Sequence, residues 1–435
     1  MPMQLKLEPG GSVFNVARGS APTSFDSRLQ RHQIEMQRNK RYTCGGAYLP
    51  PIKMRIAATG VNSPFPKGIA LIVFKAAYVF FSAHAAAATP EEDAKRVAQM
   101  HLRESAAPVR EQPNWQKPKS IVVVVDSDSR LSWLRQAMSG SATTLVPART
   151  PAELRARIGG ADAMLGPCIP DVIAAGTRLR WIQVSVAGAE DCLNIEPIRS
   201  GKVILSTMQR VSAVTVSEHA MAMVLVLSRG LVSLMRAQTD HRWLANRPSN
   251  MTSLDGKTML IIGLGGVGTE VAARAHAFGM RIIATRYSGH EGPEFVDYVG
   301  TPEELPTLIE RADVVVNCTP LTKLTTKMID ARLLGHMRRS AYLINVGRGA
   351  SVVTEDLVSA LKSGQIAGAA LDVVDPEPLP KDSPLWQMPN VLITPHLADN
   401  SEDQIDRLWV VMRENLRRYV HGDKLLSVVD VNRGY

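Results

Sequence analysis

The stretch Met259–Val271, MLIIGLGGVGTEV, constrains this chain more than any other: an apolar run breaks into Gly263, Gly265 and Gly268. Its spacing is G-x-G-x-x-G. Gly263 permits a tight turn, Gly265 lets backbone approach a pyrophosphate, and Gly268 allows a helix to pack closely on a strand. Phosphates would then rest on the free amides of a helix N-terminus, where the macrodipole favours negative charge. Glycine occupies 31 of the 435 positions, so chance supplies roughly 0.15 copies of the pattern in such a chain and context must support it. Here it does. Four apolar residues precede the motif, the helical stretch TEVAARAHAFG follows, and RIIAT reads as a second strand, completing a β-α-β unit.

Charge is concentrated at one end of the chain. Residues 1–75 hold eleven Lys/Arg against three Asp/Glu, and the remainder is nearly balanced. The high isoelectric point therefore belongs to the extension, and nucleic-acid binding by the folded body is not expected. Cys44, Cys168, Cys192 and Cys318 lie far apart without metal-ligand spacing. Free thiols, no disulfide framework and no metal site are the expectation.

Residues 1–53 are basic and lack hydrophobic periodicity, so no structure is assigned to them. The segment 54–88 follows the order of a signal peptide: Met54-Arg55 and Lys67, then the apolar run Gly68–Phe81, then Ala83 and Ala85 in an A-x-A arrangement. It does not stand at the first residue, Lys75 interrupts it, and the run is too short for a stable membrane span. Two readings stay open. One starts translation at Met54 and exports the protein to the periplasm; the other keeps it in the cytoplasm, where a dinucleotide is plentiful. A charged, Pro-containing linker with a short helix then runs from Thr89 to Lys119.

From Ile121, short apolar runs alternate with helical stretches: IVVVVDSDS, RLSWLRQAMS, TTLVP, TPAELRARIG, DAMLGP, PDVIAAG, RWIQVSV and VILSTM. That alternation predicts an α/β fold with a parallel sheet covered on both faces. One long apolar helix is expected from Val216 to Ala237, buried between domains or subunits. After the glycine motif, DVVVNCTPLT, AYLINVGRGA, AGAALDVVDPEPLP and VLITPHLADN each begin as a buried strand and end in a loop. Such loops converge on one crevice at the carboxyl ends of the strands. The last helix, SEDQIDRLWVVMRENLRRYVHG, has Ser401 as its expected cap and should return to the first α/β region.

These motifs, in this order, resemble the D-isomer-specific 2-hydroxyacid dehydrogenases, and within them the glyoxylate/hydroxypyruvate reductase branch. GLGGVG, CTPLT (Cys318–Thr322), INVGRG (Ile344–Gly349), LDVVDPEPLP (Leu371–Pro380) and TPH (Thr394–His396) carry the likeness, which covers about residues 119–430. The resemblance implies two doubly wound parallel-sheet domains. A flavodoxin-like substrate domain would comprise 119–226 with 398–435, and a Rossmann nucleotide-binding domain 227–397, with 1–118 as the extension. It also implies a homodimer and a small 2-oxo or 2-hydroxy acid as substrate.

By the same resemblance Arg348, Glu377 and His396 form a catalytic trio. Imidazole suits the proton that accompanies hydride transfer, because it titrates nearest the working pH. Glu377 would fix the tautomer of His396 and stabilise its imidazolium. From residue type alone Asp375 competes with Glu377, and only the resemblance separates them. Arg348 offers a planar fork to the substrate carboxylate and polarises its carbonyl. In the loop SVAGAED, Val186, Ala187 and Gly188 would hold that carboxylate through backbone amides. Gly263, Gly265, Gly266, Val267, Gly268, Thr319, Pro320 and Asp372 would line the cofactor. His219, on an apolar helix, reads as structural.

Two departures matter. Sites selective for NAD place an acidic residue after the second strand of the nucleotide domain, whereas this chain has Thr285-Arg286-Tyr287-Ser288. Arg286 could pair with a 2′-phosphate and Ser288 add a hydroxyl, so NADP(H) is the preferred cofactor, with NAD(H) the alternative if Arg286 only stacks on adenine. After the histidine, Asp399-Asn400 replaces the family's frequent glycine and leaves the substrate open. Formate dehydrogenases carry Gln at the Glu377 position, and phosphoglycerate dehydrogenases often continue into a regulatory domain, for which no room is expected after Tyr435. A rival of another class is a nicotinamide-gated, corepressor-like binding protein on the same fold.

Overall fold

The structure, a computed structural model, describes residues 90–113, 115–246 and 251–435. The segment 54–88 and the leader before it lie outside the described residues.

Two sheets, all of whose strands run parallel, organise the described chain. The first contains β1 (Ser120–Val124), β2 (Thr144–Ala148), β3 (Ala163–Leu165), β4 (Trp181–Gln183) and β5 (Ile204–Ser206), in the order β2-β1-β3-β4-β5. The second contains β6 (Thr258–Ile262), β7 (Arg281–Thr285), β8 (Tyr298–Gly300), β9 (Val314–Asn317), β10 (Tyr342–Asn345), β11 (Gly368–Leu371) and β12 (Val391–Ile393). Its order is β12-β11-β10-β9-β6-β7-β8. Both orders reverse beside their first strand, the flavodoxin-like and Rossmann doubly wound arrangements. Helices cover both faces, which is why the strands read as continuous apolar runs rather than alternating ones.

The long helix expected from Val216 is two helices. Ala213–Ser228 and Leu231–Thr239 are bent by 72° at Gly230, whose φ of 62° is left-handed. The first of these packs Ala220, Val224 and Leu227 against Val271 and Ala275 on the motif helix Gly266–Ala277. It therefore belongs with the second sheet, and the crossover between the two sheets lies before Ala213 rather than at residue 226. Among the described residues no single helix is long and apolar enough to cross a membrane.

The closing helix, Gln404–His421, returns to the first sheet as expected, placing Trp409, Leu416 and Tyr419 in its core. Tyr419 stacks on Trp181 of β4 with ring centroids 4.5 Å apart. Its N-cap is Asp403, not Ser401; the Ser401 hydroxyl donates to the Asp403 carboxylate at 2.8 Å.

Two further expectations need correction. Residues 90–118 are not merely a linker outside the fold. Helix Pro90–Gln99 lies on the closing helix, where Val97 packs with Val410 and Leu426, and Arg413 Nη1 donates to Asp93 Oδ2 at 2.5 Å. The chain goes on to bond Ser105 N to Leu425 O. Nor are all the cysteines free: Cys168 and Cys192 form a disulfide with Cα atoms 5.8 Å apart. Each follows one of the adjacent parallel strands β3 and β4, so topology joins what sequence separates. Cys318 is free, and burial pushes its thiol up to about 12.

Candidate active site

The glycine turn sits where the order of the second sheet reverses, between β6 and β9. Gly263 adopts φ 93°, a left-handed conformation only glycine takes easily. A Cβ on Gly268 would stand 2.2 Å from the Gly263 carbonyl oxygen, so helix and strand can pack this closely only without one. A Cβ on Gly265 would meet nothing within 4 Å. A close-packed turn with open space above its second glycine, at the head of a helix, fits a pyrophosphate. At Gly266 a Cβ would collide with Arg210 Cγ at 2.6 Å, so the stem of Arg210 fills the place of a side chain there. Val267 is the next residue of that first turn.

At the end of β7, Arg286 Nε donates to Ser288 Oγ at 2.8 Å and its Nη1 to the Glu291 carbonyl at 2.7 Å. The two residues singled out in sequence thus form one basic corner, with no carboxylate among Thr285–Ser288.

The loops after β9 and β10 are locked by a buried amide network. Asn317, the last residue of β9, donates to Asn345 Oδ1 at 2.9 Å and to Ser351 Oγ at 2.7 Å, and accepts from the Thr319 hydroxyl at 2.7 Å. Asn345 and Ser351 in turn donate to the Arg348 carbonyl at 3.0 and 2.6 Å. Arg348 is thereby fixed at its backbone, and Thr319 at the neighbouring strand end, where the carbonyl of Pro320 accepts from the Thr325 hydroxyl at 2.7 Å. Sequence reading missed Asn317 and Asn345. Their signal was a polar residue closing each of two otherwise apolar strands.

The Arg348 side chain reaches across to the first sheet's loop. Its Nε donates to Glu190 Oε1 at 2.9 Å and its Nη1 to the Gly347 carbonyl at 2.9 Å. A Cβ on Gly188 would lie 2.3 Å from Arg348 Nη2, so the guanidinium rests against this glycine. Val186 and Ala187, just before it, are exposed. Glu190 was not anticipated.

His396 Nδ1 lies 2.9 Å from Glu377 Oε2, and Glu377 Oε1 accepts from Val374 N at 3.2 Å. Asp375, the competing carboxylate, does not make this contact. His396 itself has φ 56°, an uncommon conformation for a non-glycine residue and one typical of functional sites. Asp372 supports it. This residue, expected at the cofactor, is buried and accepts from the Thr394 hydroxyl at 2.6 Å and from Leu397 N and Ala398 N at 3.0 and 3.1 Å. Its carbonyl accepts from His396 N at 2.8 Å. Since the single Thr394 hydroxyl proton goes to Asp372, His219 Nε2, 3.0 Å from Thr394 Oγ1, is the donor there. His219 Nε2 also lies 3.6 Å from Asp372 Oδ1.

The strand-end loops thus present an imidazole paired with a carboxylate, a guanidinium against a glycine loop, and a glycine turn at the head of a helix. Such a set can bind a carboxylate, exchange a proton with an adjacent oxygen and hold a dinucleotide.

Known proteins resemble this chain in sequence and in fold. Residues 221–398 match the family model described as the NAD-binding domain of D-isomer specific 2-hydroxyacid dehydrogenases. A glyoxylate reductase of Korarchaeum cryptofilum is 34% identical over 277 residues, covering 61% of this chain and 82% of that protein. Glyoxylate/hydroxypyruvate reductase B of Escherichia fergusonii is 33% identical, covering 54% and 72%. Among solved structures, an NADPH-dependent glyoxylate/hydroxypyruvate reductase from Sinorhizobium meliloti, in complex with NADP and sulfate, superposes with a TM-score of 0.61. It is 27% identical, covering 73% of this chain and 100% of that one.

Proposed function

This chain belongs to the D-isomer-specific 2-hydroxyacid dehydrogenases, NAD(P)-dependent oxidoreductases acting on small 2-oxo or 2-hydroxy acids, and we propose that it reduces a glyoxylate- or hydroxypyruvate-like 2-oxo acid with NADPH. The observation that carries this reading is the pairing of His396 with Glu377 at 2.9 Å.

When bound, the reduced nicotinamide supplies a hydride to the carbonyl carbon. Arg348, with the backbone of Val186, Ala187 and Gly188, holds the substrate carboxylate, and its positive charge polarises the carbonyl. His396 carries the proton. Its Nδ1 donates to Glu377, so Nε2 faces the crevice as the acid that protonates the developing alkoxide, and as the base in the reverse direction. The amides at the head of Gly266–Ala277 hold the pyrophosphate, and Arg286 with Ser288 receives a ribose 2′-phosphate.

The homodimer belongs to the same proposal, supported by exposed apolar Leu231, Met235 and Trp243 on and just beyond helix Leu231–Thr239. Light scattering checks it.

Steady-state assays with glyoxylate, hydroxypyruvate and larger 2-oxo acids, each with NADPH and NADH, test the reading. Turnover of a small 2-oxo acid with a clear NADPH preference is expected. Cofactor binding without turnover of any 2-oxo acid would reject it.

A further inference from the structure

Glu190 faces the guanidinium that the proposed function gives to the substrate, although a second carboxylate there is the last charge an anion-binding site needs. The geometry resolves this. Glu190 Oε1 takes the Nε edge of Arg348 at 2.9 Å and also accepts from Leu321 N, on the loop after β9, at 3.4 Å. Glu190 itself leaves the loop after β4, so one carboxylate oxygen ties the first sheet to two loops of the second. The Gly347 carbonyl takes one hydrogen of Nη1. With these two bonds fixed, the guanidinium plane is set and its Nη2 end lies against Gly188. A long side chain would otherwise lose rotamer freedom each time substrate binds. The segment presenting Glu190 is anchored too, because Cys192, two residues on, is joined to Cys168.

We propose that Glu190 is a positioning residue: it holds Arg348 by its Nε edge and so keeps Nη2 at the Gly188 loop, where the substrate carboxylate would bind. The inference rests on the assignment of Arg348 to that carboxylate. It requires that Glu190 act on binding of the carboxylate and not on binding of the dinucleotide.

The test uses the full chain loaded with NADPH and reads binding of oxamate, a carboxylate probe that is not reduced, by its effect on cofactor fluorescence. Turnover is measured alongside. In Glu190→Ala the oxamate Kd and the KM of the 2-oxo acid should rise at least tenfold, while the NADPH Kd stays within twofold of wild type. Glu190→Asp should recover part of the loss. Glu190→Gln, which keeps shape and acceptor, should fall between them and guards against a folding defect in Glu190→Ala. Adding Glu190→Ala to Arg348→Ala should cost nothing further, since the effect runs through Arg348. Unchanged or tighter oxamate binding in Glu190→Ala would overturn the inference, as would additive losses in the double variant. Wild type that binds oxamate but reduces no 2-oxo acid would sink the proposed function while leaving the role of Glu190 to be read from the Kd values. Wild type that does not bind oxamate removes the carboxylate role of Arg348 and the inference with it.

Discussion

His396 Nδ1 and Glu377 Oε2 lie 2.9 Å apart, although they follow different strands and are separated by the Pro-rich loop and β12. Adjacent parallel strands, β11 and β12, bring the two loop ends together. The contact gives Nδ1–H to Glu377, and in the proposed mechanism Nε2 is then the nitrogen that meets the substrate. Replacing His396 by Asn should lower kcat about 10²–10⁴-fold, the usual worth of a positioned proton donor. Replacing Glu377 by Gln should lower it less, because the ring keeps its acid but loses the carboxylate that orients it. Steady-state assays in both directions measure this, and an unchanged His396→Asn enzyme would end the mechanism.

Arg286 and Ser288 are hydrogen-bonded to each other at 2.8 Å at the end of β7. A charge-assisted bond contributes about 1.5–3 kcal/mol, or roughly ten- to a hundredfold in affinity. Arg286→Ala should therefore raise the KM for NADPH by that factor while changing the KM for NADH little. Arg286→Asp should reverse the preference. An NADH preference in wild type that survives Arg286→Asp would refute the cofactor assignment.

Much of this was legible because it depends on residue type at strand ends. The apolar runs, the glycine spacing and the loop motifs marked the sheets and the crevice, since a doubly wound sheet exposes only its carboxyl-end loops to ligand. What stayed hidden depends on contacts between distant residues. Glu190 meets Arg348, and Cys168 meets Cys192, only after strand order is known. Asp93 looked like one more charge in a linker until Arg413 covered it. Gly230 was weighed as one residue of a helix, whereas its left-handed φ ends one helix and starts another. That the Asp372 carboxylate accepts from Leu397 N and Ala398 N, beside His396, likewise depends on the neighbouring strand and no motif shows it.

Asp162 ties the start of the first sheet together, accepting from Lys119 N at 2.7 Å, Ser120 N at 3.0 Å and Arg178 Nη2 at 2.7 Å. Burial by itself would raise its carboxyl, but these donors outweigh burial and hold it below the ordinary 3.8. A depressed folded value means that its stabilisation is present above pH 3.8 and is lost as pH falls through the folded value. Asp162→Asn should reduce stability by about 1–3 kcal/mol at neutral pH. The gap between wild type and variant should close on acidification. Melting curves from pH 7 to pH 3 follow both, and a gap independent of pH would contradict the assignment.

Asp93 carries the opposite sign. Its side chain is only 9% exposed and that of Arg413 7%, and burial holds the Asp93 carboxyl above 3.8 despite the paired guanidinium. A raised folded value gives stability that is full below 3.8 and is lost as pH rises through the folded value. The advantage of wild type over Asp93→Asn, which does not titrate, should therefore shrink with rising pH across that window. Asp93→Ala is the harsher change, since it leaves Arg413 buried without its carboxylate, and should cost about 3–5 kcal/mol. If helix Pro90–Gln99 were a loose leader, neither variant would shift the melting temperature of the full chain. A shift in Asp93→Ala restored by the further change Arg413→Met would identify the stranded charge, rather than the lost helix contact, as the cause.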